Sequence, residues 1–163
     1  MNNQIEIHNK DAFKKMHNAG ALAADVLDYI TQYVEKGVST GRLNDLCHDY
    51  IIKNDAVPAP LNYRGFPKST CISVNHVVCH GIPGDKILDE GDILNIDITV
   101  ILDGWYGDTS RMYFVGEPSK KAKFLTKITY ECLWLGIETV KPGSTTGDIG
   151  HAIQMHAEKM VYQ

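Results

Sequence analysis

The chain has 163 residues, 44% hydrophobic and 22% charged, with a formal net charge of −4. That length and balance describe one globular domain rather than a disordered or multidomain chain. The mild acidity gives no electrostatic pull toward nucleic acid or an anionic membrane, and no apolar run approaches the roughly 20 residues of a membrane span.

The opening "MNNQIEIHNKDAFKKMHNAG" has no apolar core of the kind a signal peptide carries. Cys47, Cys71, Cys79 and Cys132 form no CxxC pair, so reduced thiols in a cytoplasmic protein are expected. From residue 11 to 36 apolar residues recur at Phe13, Met16, Ala19, Ala23, Val26, Leu27, Ile30 and Tyr33, the three-four spacing of one buried helical stripe. Gly37 ends that helix. Ser39 or Thr40 caps a second one running through Leu43, Leu46, Cys47, Tyr50 and Ile51.

"DAVPAPLNYRGFPKST" is rich in Pro and Gly and reads as an irregular connection. Strands are predicted at 70–79, 92–102 and 105–115, with the loop "HGIPGDKILDEGD" between the first two. A third helix starts after Pro118 and Ser119 and runs to about residue 140, with Phe124, Ile128, Cys132, Leu135 and Thr139 along one side. A fourth begins near Thr146.

Two segments repeat. "VEKGVSTGRL" (34–43) aligns without gaps with "VKPGSTTGDI" (140–149), so that Val34, Gly37, Thr40 and Gly41 match Val140, Gly143, Thr146 and Gly147 at an offset of 106. Each copy joins a long helix to a shorter one, a turn that also recurs by chance. If the repeat is real, the second copy should continue into strands as the first does, and the chain is expected to be incomplete at its C-terminus.

The stretch "ILNIDITVILDGWYGDTSRMYFVG" sets two aspartates inside apolar strands, where Asp is disfavoured. Asp103-Gly104 favours a two-residue type I′ turn, which makes cross-strand positions sum to 207. Asp97 then faces Ser110 and Thr99 faces Asp108, leaving the two carboxylates as diagonal neighbours on one face. Like charges so placed repel unless a proton or cation lies between them, and a divalent metal, or a pair of them, resolves the conflict. The alternatives are an Asp97–Arg111 ion pair and a turn-capping Asp108. His80, just past a strand end, suits a ligand, a proton-transfer group, a donor to substrate or an ordinary loop histidine. The other six histidines (His8, His17, His48, His76, His151 and His156) have no metal-ligand spacing and read as surface or packing residues. HExxH, GxSxG, glycine-rich phosphate loops and zinc-type cysteine spacings are all missing.

Taken together, "NYRGFPKSTCISVNHVVCHGIP", "EGDILNIDITVILDGWYGDTSRMYFVG" and "VKPGSTTGDIGHAIQMHAE" closely resemble the type I methionine aminopeptidases, in that family's order and spacing. The resemblance implies an α+β pita-bread fold, pseudo-symmetric, with residues 1–163 forming a single catalytic-type domain that is incomplete at the C-terminus. It implies two divalent ions (Co, Mn, Fe or Zn), with Asp97 as a bidentate ligand and Asp108 as a bridging one. His80 would be the catalytic contact near the scissile bond, and Tyr63, Phe66 and Cys71 would line the pocket for an initiator methionine. The implied substrate is a nascent peptide with an N-terminal Met. The family's remaining metal ligands, a histidine and two glutamates, have no matching motif here, so weak metal binding and no activity are expected of the chain alone. An open sheet edge would favour self-association. The competing readings are a non-catalytic pita-bread module that binds peptide or protein, and a prolidase-like dipeptidase.

Overall fold

The computed structural model describes residues 5–161, and the chain divides into two compact units, Met1–Glu117 and Pro118–Gln163.

The first unit opens with α1 (Lys10–Ile30), whose Asn9 cap accepts a hydrogen bond from Ala12 N at 2.9 Å. The helix stops six residues short of the predicted end and tightens into a 3₁₀ turn at Thr31–Tyr33. The cause is local. Leu27 O already accepts the hydroxyls of Thr31 (2.9 Å) and Tyr113 (2.7 Å), so Thr31 N–H turns to Asp28 O instead. Helix α2 (Thr40–Lys53) begins at the predicted cap, with Ser39 Oγ accepting from Arg42 N at 3.1 Å.

Among the described residues four strands form one antiparallel sheet: β1 (Val57–Pro58), β2 (Cys71–Val74), β3 (Ile93–Leu102) and β4 (Trp105–Phe114). Strand β3 is its spine. Along one edge β3 pairs with the whole of β4; along the other it pairs with β2 through residues 94–97 and with β1 through residues 100–101. The β3–β4 turn has the predicted type I′ character, with φ of 50° at Asp103 and 82° at Gly104, and the register sums to 207 throughout.

Leu94, Ile96, Ile98 and Val100 of β3 are completely buried against Ala23, Val26, Leu27 and Ile30 of α1 and Leu43, Cys47 and Ile51 of α2. Each such aliphatic side chain contributes roughly 1.5–3 kcal/mol on burial. Helix α1 lies so close to β4 that a Cβ on Gly107 would run into the carbonyl of Ala19. The helices therefore cover one face of the sheet, and the aspartate face is the other.

The predicted strand at 70–79 is shorter than expected. Asn75 takes a φ of 52° and turns the chain, its side chain accepting from Ile93 N (3.1 Å) and donating to Asp92 (2.7 Å). Residues beyond it double back along β2, where Ile72 N–H donates to Gly81 O at 2.9 Å and Gly81 N–H to Ser73 Oγ at 3.1 Å.

In the second unit α3 (Lys120–Glu138) and α4 (Thr146–Val161) pack as a helical pair. Ser119 caps α3, Cys132 Sγ donates to Ile153 O, and His156 Nε2 meets Glu131 Oε2 at 2.8 Å. The repeat seen in the sequence has a structural counterpart. Gly37 and Gly143 have φ of 91° and 92°, and each is followed two residues later by a hydroxyl that accepts from the backbone N–H three positions on, Ser39 from Arg42 and Thr145 from Asp148.

Candidate metal centre and its pocket

On the face of the sheet away from the helices, an open cavity of about 830 Å³ is lined by all six residues singled out from the sequence: Tyr63, Phe66, Cys71, His80, Asp97 and Asp108. Asp97 and Asp108 come from adjacent strands on diagonal rungs, Asp97 opposite Ser110 and Asp108 opposite Thr99. Cys71 joins from the other edge, directly opposite Asp97. Hence two carboxylates and a thiol meet across neighbouring strands because β3 is paired on both sides.

The carboxylates are not equivalent. Asp97 is half-buried while Asp108 is exposed. Burial, and then the negative charge of Asp108, push the Asp97 carboxyl above the usual carboxylate range, with His80 opposing the rise. The Cys71 thiol is pushed up to about 11, chiefly by burial and further by Asp97, Cys79 and Asp108. Arg111, the alternative partner weighed for Asp97, lies opposite Ile96 on the helix-facing side and pairs with Asp28 of α1 at 2.7 Å. No ion pair relieves the two aspartates among the described residues. Their unrelieved, mutually repelling oxygens have the chemistry of a divalent-cation site. The described residues supply only this pair, however, since no group of three or more His, Cys, Asp or Glu among them is placed to hold a metal ion. The donor set fits a cation in kind and falls short in number.

His80 reaches the cavity through the doubled-back segment. Its φ of 54° is left-handed, and Gly81 beside it packs so tightly on β2 that a Cβ would strike the carbonyl of Ile72.

The opposite wall is the excursion between β1 and β2. The chain leaves the β3 edge at Ala59, whose N–H donates to Thr99 O (2.9 Å), and rejoins it at Cys71. In between, Asn62, Arg64 and Gly65 have φ of 66°, 49° and 86°. Left-handed backbone at a residue with a Cβ costs about 1–2 kcal/mol, so this turn is held against its own preference. Its anchor is on α2: buried Asn44 Oδ1 accepts from Ser69 N (2.9 Å) and Thr70 N (3.2 Å), and His48 Nδ1 contacts Ser69 Oγ at 2.8 Å. Neither Asn44 nor His48 stood out in the sequence, where His48 reads as a surface or packing residue. Tyr106 and Arg64 also line the cavity. Tyr106 was within reach of sequence reasoning, since it alternates with Asp108 and Ser110 on the same strand face.

Comparison with known proteins identifies the family. The family model described as metallopeptidase family M24 matches residues 14–163. The chain belongs to that family. Methionine aminopeptidase of Rickettsia prowazekii (strain Madrid E) is 61% identical over 158 residues, covering 97% of this chain and 61% of the relative. The crystal structure of methionine aminopeptidase from Rickettsia prowazekii superposes with a TM-score of 0.94, covering 96% of this chain and 63% of that one. The methionine aminopeptidase of Thermotoga maritima, 34% identical, gives a TM-score of 0.91 over 96% of this chain and 63% of its own. The Xaa-Pro dipeptidase of Bacillus anthracis, at 20% identity and a TM-score of 0.81 over 96% of this chain and 42% of its own, shares the fold alone. The M24 chain described here thus spans about three fifths of the length of the first relatives it matches, and its α+β architecture is part of the family's pita-bread fold. No helix among the described residues is long and apolar enough to cross a membrane.

Proposed function

We propose that this chain carries the Asp97–Asp108–His80 part of a type I methionine aminopeptidase site, which removes an N-terminal Met from nascent peptides. The observation that carries the reading is the pair of unrelieved carboxylates at one end of a largely apolar cavity. Asp97 and Asp108 would hold divalent ions (Co, Mn, Fe or Zn), which when bound supply a water of lowered pKa and polarise the scissile carbonyl. Tyr63, Phe66 and Cys71 form an apolar wall suited to an unbranched thioether side chain, and burial keeps the Cys71 thiol protonated there. His80, held rigid by Gly81 against β2, orients the peptide near the cleaved bond as a hydrogen-bond partner.

We place this in the cytoplasm, a compartment supported by four cysteines that are all free. Units Met1–Glu117 and Pro118–Gln163 are read as parts of one catalytic-type domain. With two ligands available, the chain alone is expected to bind metal weakly and to show little or no turnover. Self-association is proposed at the outer edge of β4, which pairs with β3 alone among the described strands.

Calorimetry with Mn²⁺ tests the assignment. The chain should bind weakly, with Kd on the order of 0.1–1 mM, and Asp108→Ala should abolish the binding. Whatever methionine the parent chain releases from Met-Ala-Ser should vanish in the same variant. Binding or turnover unaffected by Asp108→Ala would sink the metal assignment, and absence of Mn²⁺ binding to the parent chain would favour a non-catalytic peptide-binding module. A prolidase-like specificity is separated by comparing Gly-Pro with Met-Ala.

A further inference from the structure

Among the described residues, Arg64 is the one lysine or arginine lining the cavity. Its guanidinium has no carboxylate partner among the described residues, and its recorded contact is with its own neighbour, Cζ lying 5.4 Å from the centre of the Tyr63 ring. Arginine rarely adopts left-handed backbone, yet here φ is 49° and ψ 32°. The strained turn is fixed at both ends, by Ala59 on β3 and by Asn44 of α2 through Ser69 and Thr70. Strain held in place by anchoring at a ligand cavity points to a positioned group rather than a stray surface charge. The cavity lining thus carries Asp97 and Asp108 from the sheet and Arg64 from the loop wall.

We infer that Arg64 selects peptides carrying a carboxylate beyond the cleaved residue. The inference rests on the aminopeptidase reading above and adds to it a preference among substrates. Arg64 stands between Tyr63 and Phe66 on the loop wall, so a peptide whose amino end lies toward the aspartates and whose first side chain meets Tyr63, Phe66 and Cys71 brings its later residues past the exposed guanidinium. A guanidinium stacked on an aromatic ring still offers its N–H fork to a carboxylate, with two parallel hydrogen bonds. The carboxylate comes either from an acidic side chain shortly after the first residue or from the C-terminus of a very short peptide.

Three peptides separate these sources: Met-Ala-Asp amide, Met-Ala-Asn with a free C-terminus, and Met-Ala-Asn amide as the neutral reference. Their affinities are measured by calorimetry in saturating Mn²⁺ for the parent chain, Arg64→Gln and Arg64→Lys. Because Arg64 is exposed, a preference of roughly fivefold for a carboxylate peptide over the neutral one is expected at low salt. That preference should fall to about one in Arg64→Gln, be intermediate in Arg64→Lys and shrink in about 0.5 M NaCl. The peptide that shows it identifies the source. Equal binding of all three peptides by the parent chain, or a preference that survives Arg64→Gln, overturns the role of Arg64 and leaves the aminopeptidase reading standing. Failure of every peptide to bind overturns both.

Discussion

Replacing Asp97 with Asn should stabilise the metal-free protein while destroying its affinity for metal. Asp97 and Asp108 occupy diagonal rungs of β3 and β4 with no counter-ion among the described residues, which sets their carboxylates about 6 Å apart. At an effective dielectric constant of about 20 two such charges repel by about 3 kcal/mol, and the exposure of Asp108 reduces this to about 1–1.5 kcal/mol. Asn has the shape of Asp and no charge, so in EDTA the melting temperature of Asp97→Asn should exceed that of the parent by about 3–6 °C at pH 7. The pH dependence has a definite sign. The folded-state pKa of Asp97 is raised, by burial first and then by Asp108, so the proton it keeps on folding stabilises the protein below the unfolded pKa of about 3.9, and this contribution is lost as pH rises through the folded value. The advantage of Asp97→Asn should therefore be small near pH 4 and full near pH 7. Adding Mn²⁺ should raise the melting temperature of the parent and leave the variant unmoved. Differential scanning calorimetry across pH, with and without metal, reads all of this, and a variant that melts below its parent at pH 7 in EDTA would refute the reasoning.

Asn44→Ala should cost about 2–4 kcal/mol in urea denaturation, because the buried N–H groups of Ser69 and Thr70 lose their acceptor; a cost below about 0.5 kcal/mol would show that α2 does not anchor the loop. In the native protein at pH 8, iodoacetamide should label exposed Cys79 first, while Cys47, pushed up to about 12 by burial, and Cys71, pushed up to about 11 chiefly by burial, stay unmodified. Peptide mass mapping that finds Cys71 labelled as fast as Cys79 contradicts the buried environment assigned to it.

The hairpin was readable because its information is local: a period of two and one Asp-Gly turn are enough to place Asp97 and Asp108 on the same face. Helix caps at Ser39 and Ser119 were equally plain, since a cap is a short-range hydrogen bond. What pattern reading missed depends on contacts distant in the chain. The early end of α1 comes from Tyr113, 86 residues away, occupying the carbonyl of Leu27. The shortened β2 follows from Asn75 reaching across to Asp92 and Ile93. The pocket wall is set by Asn44 through bonds spanning 25 and 26 residues, and no periodicity records such a bond. Tyr63, Phe66 and Cys71 entered through resemblance to a family rather than through any pattern of their own.

The interrupted edge of β3 has a further consequence. Because β1 and β2 pair with the same strand one after the other, the segment between them is a detour that starts and finishes on fixed rungs. Its length and side chains can change through evolution without altering the spacing of the carboxylates, whose own pairing is with β4. On the proposed reading, reactivity and selectivity are in this sense separately inherited: one is written in the hairpin, where a one-residue slip would turn both aspartates into the core, and the other in a loop that selection can rewrite between its anchors.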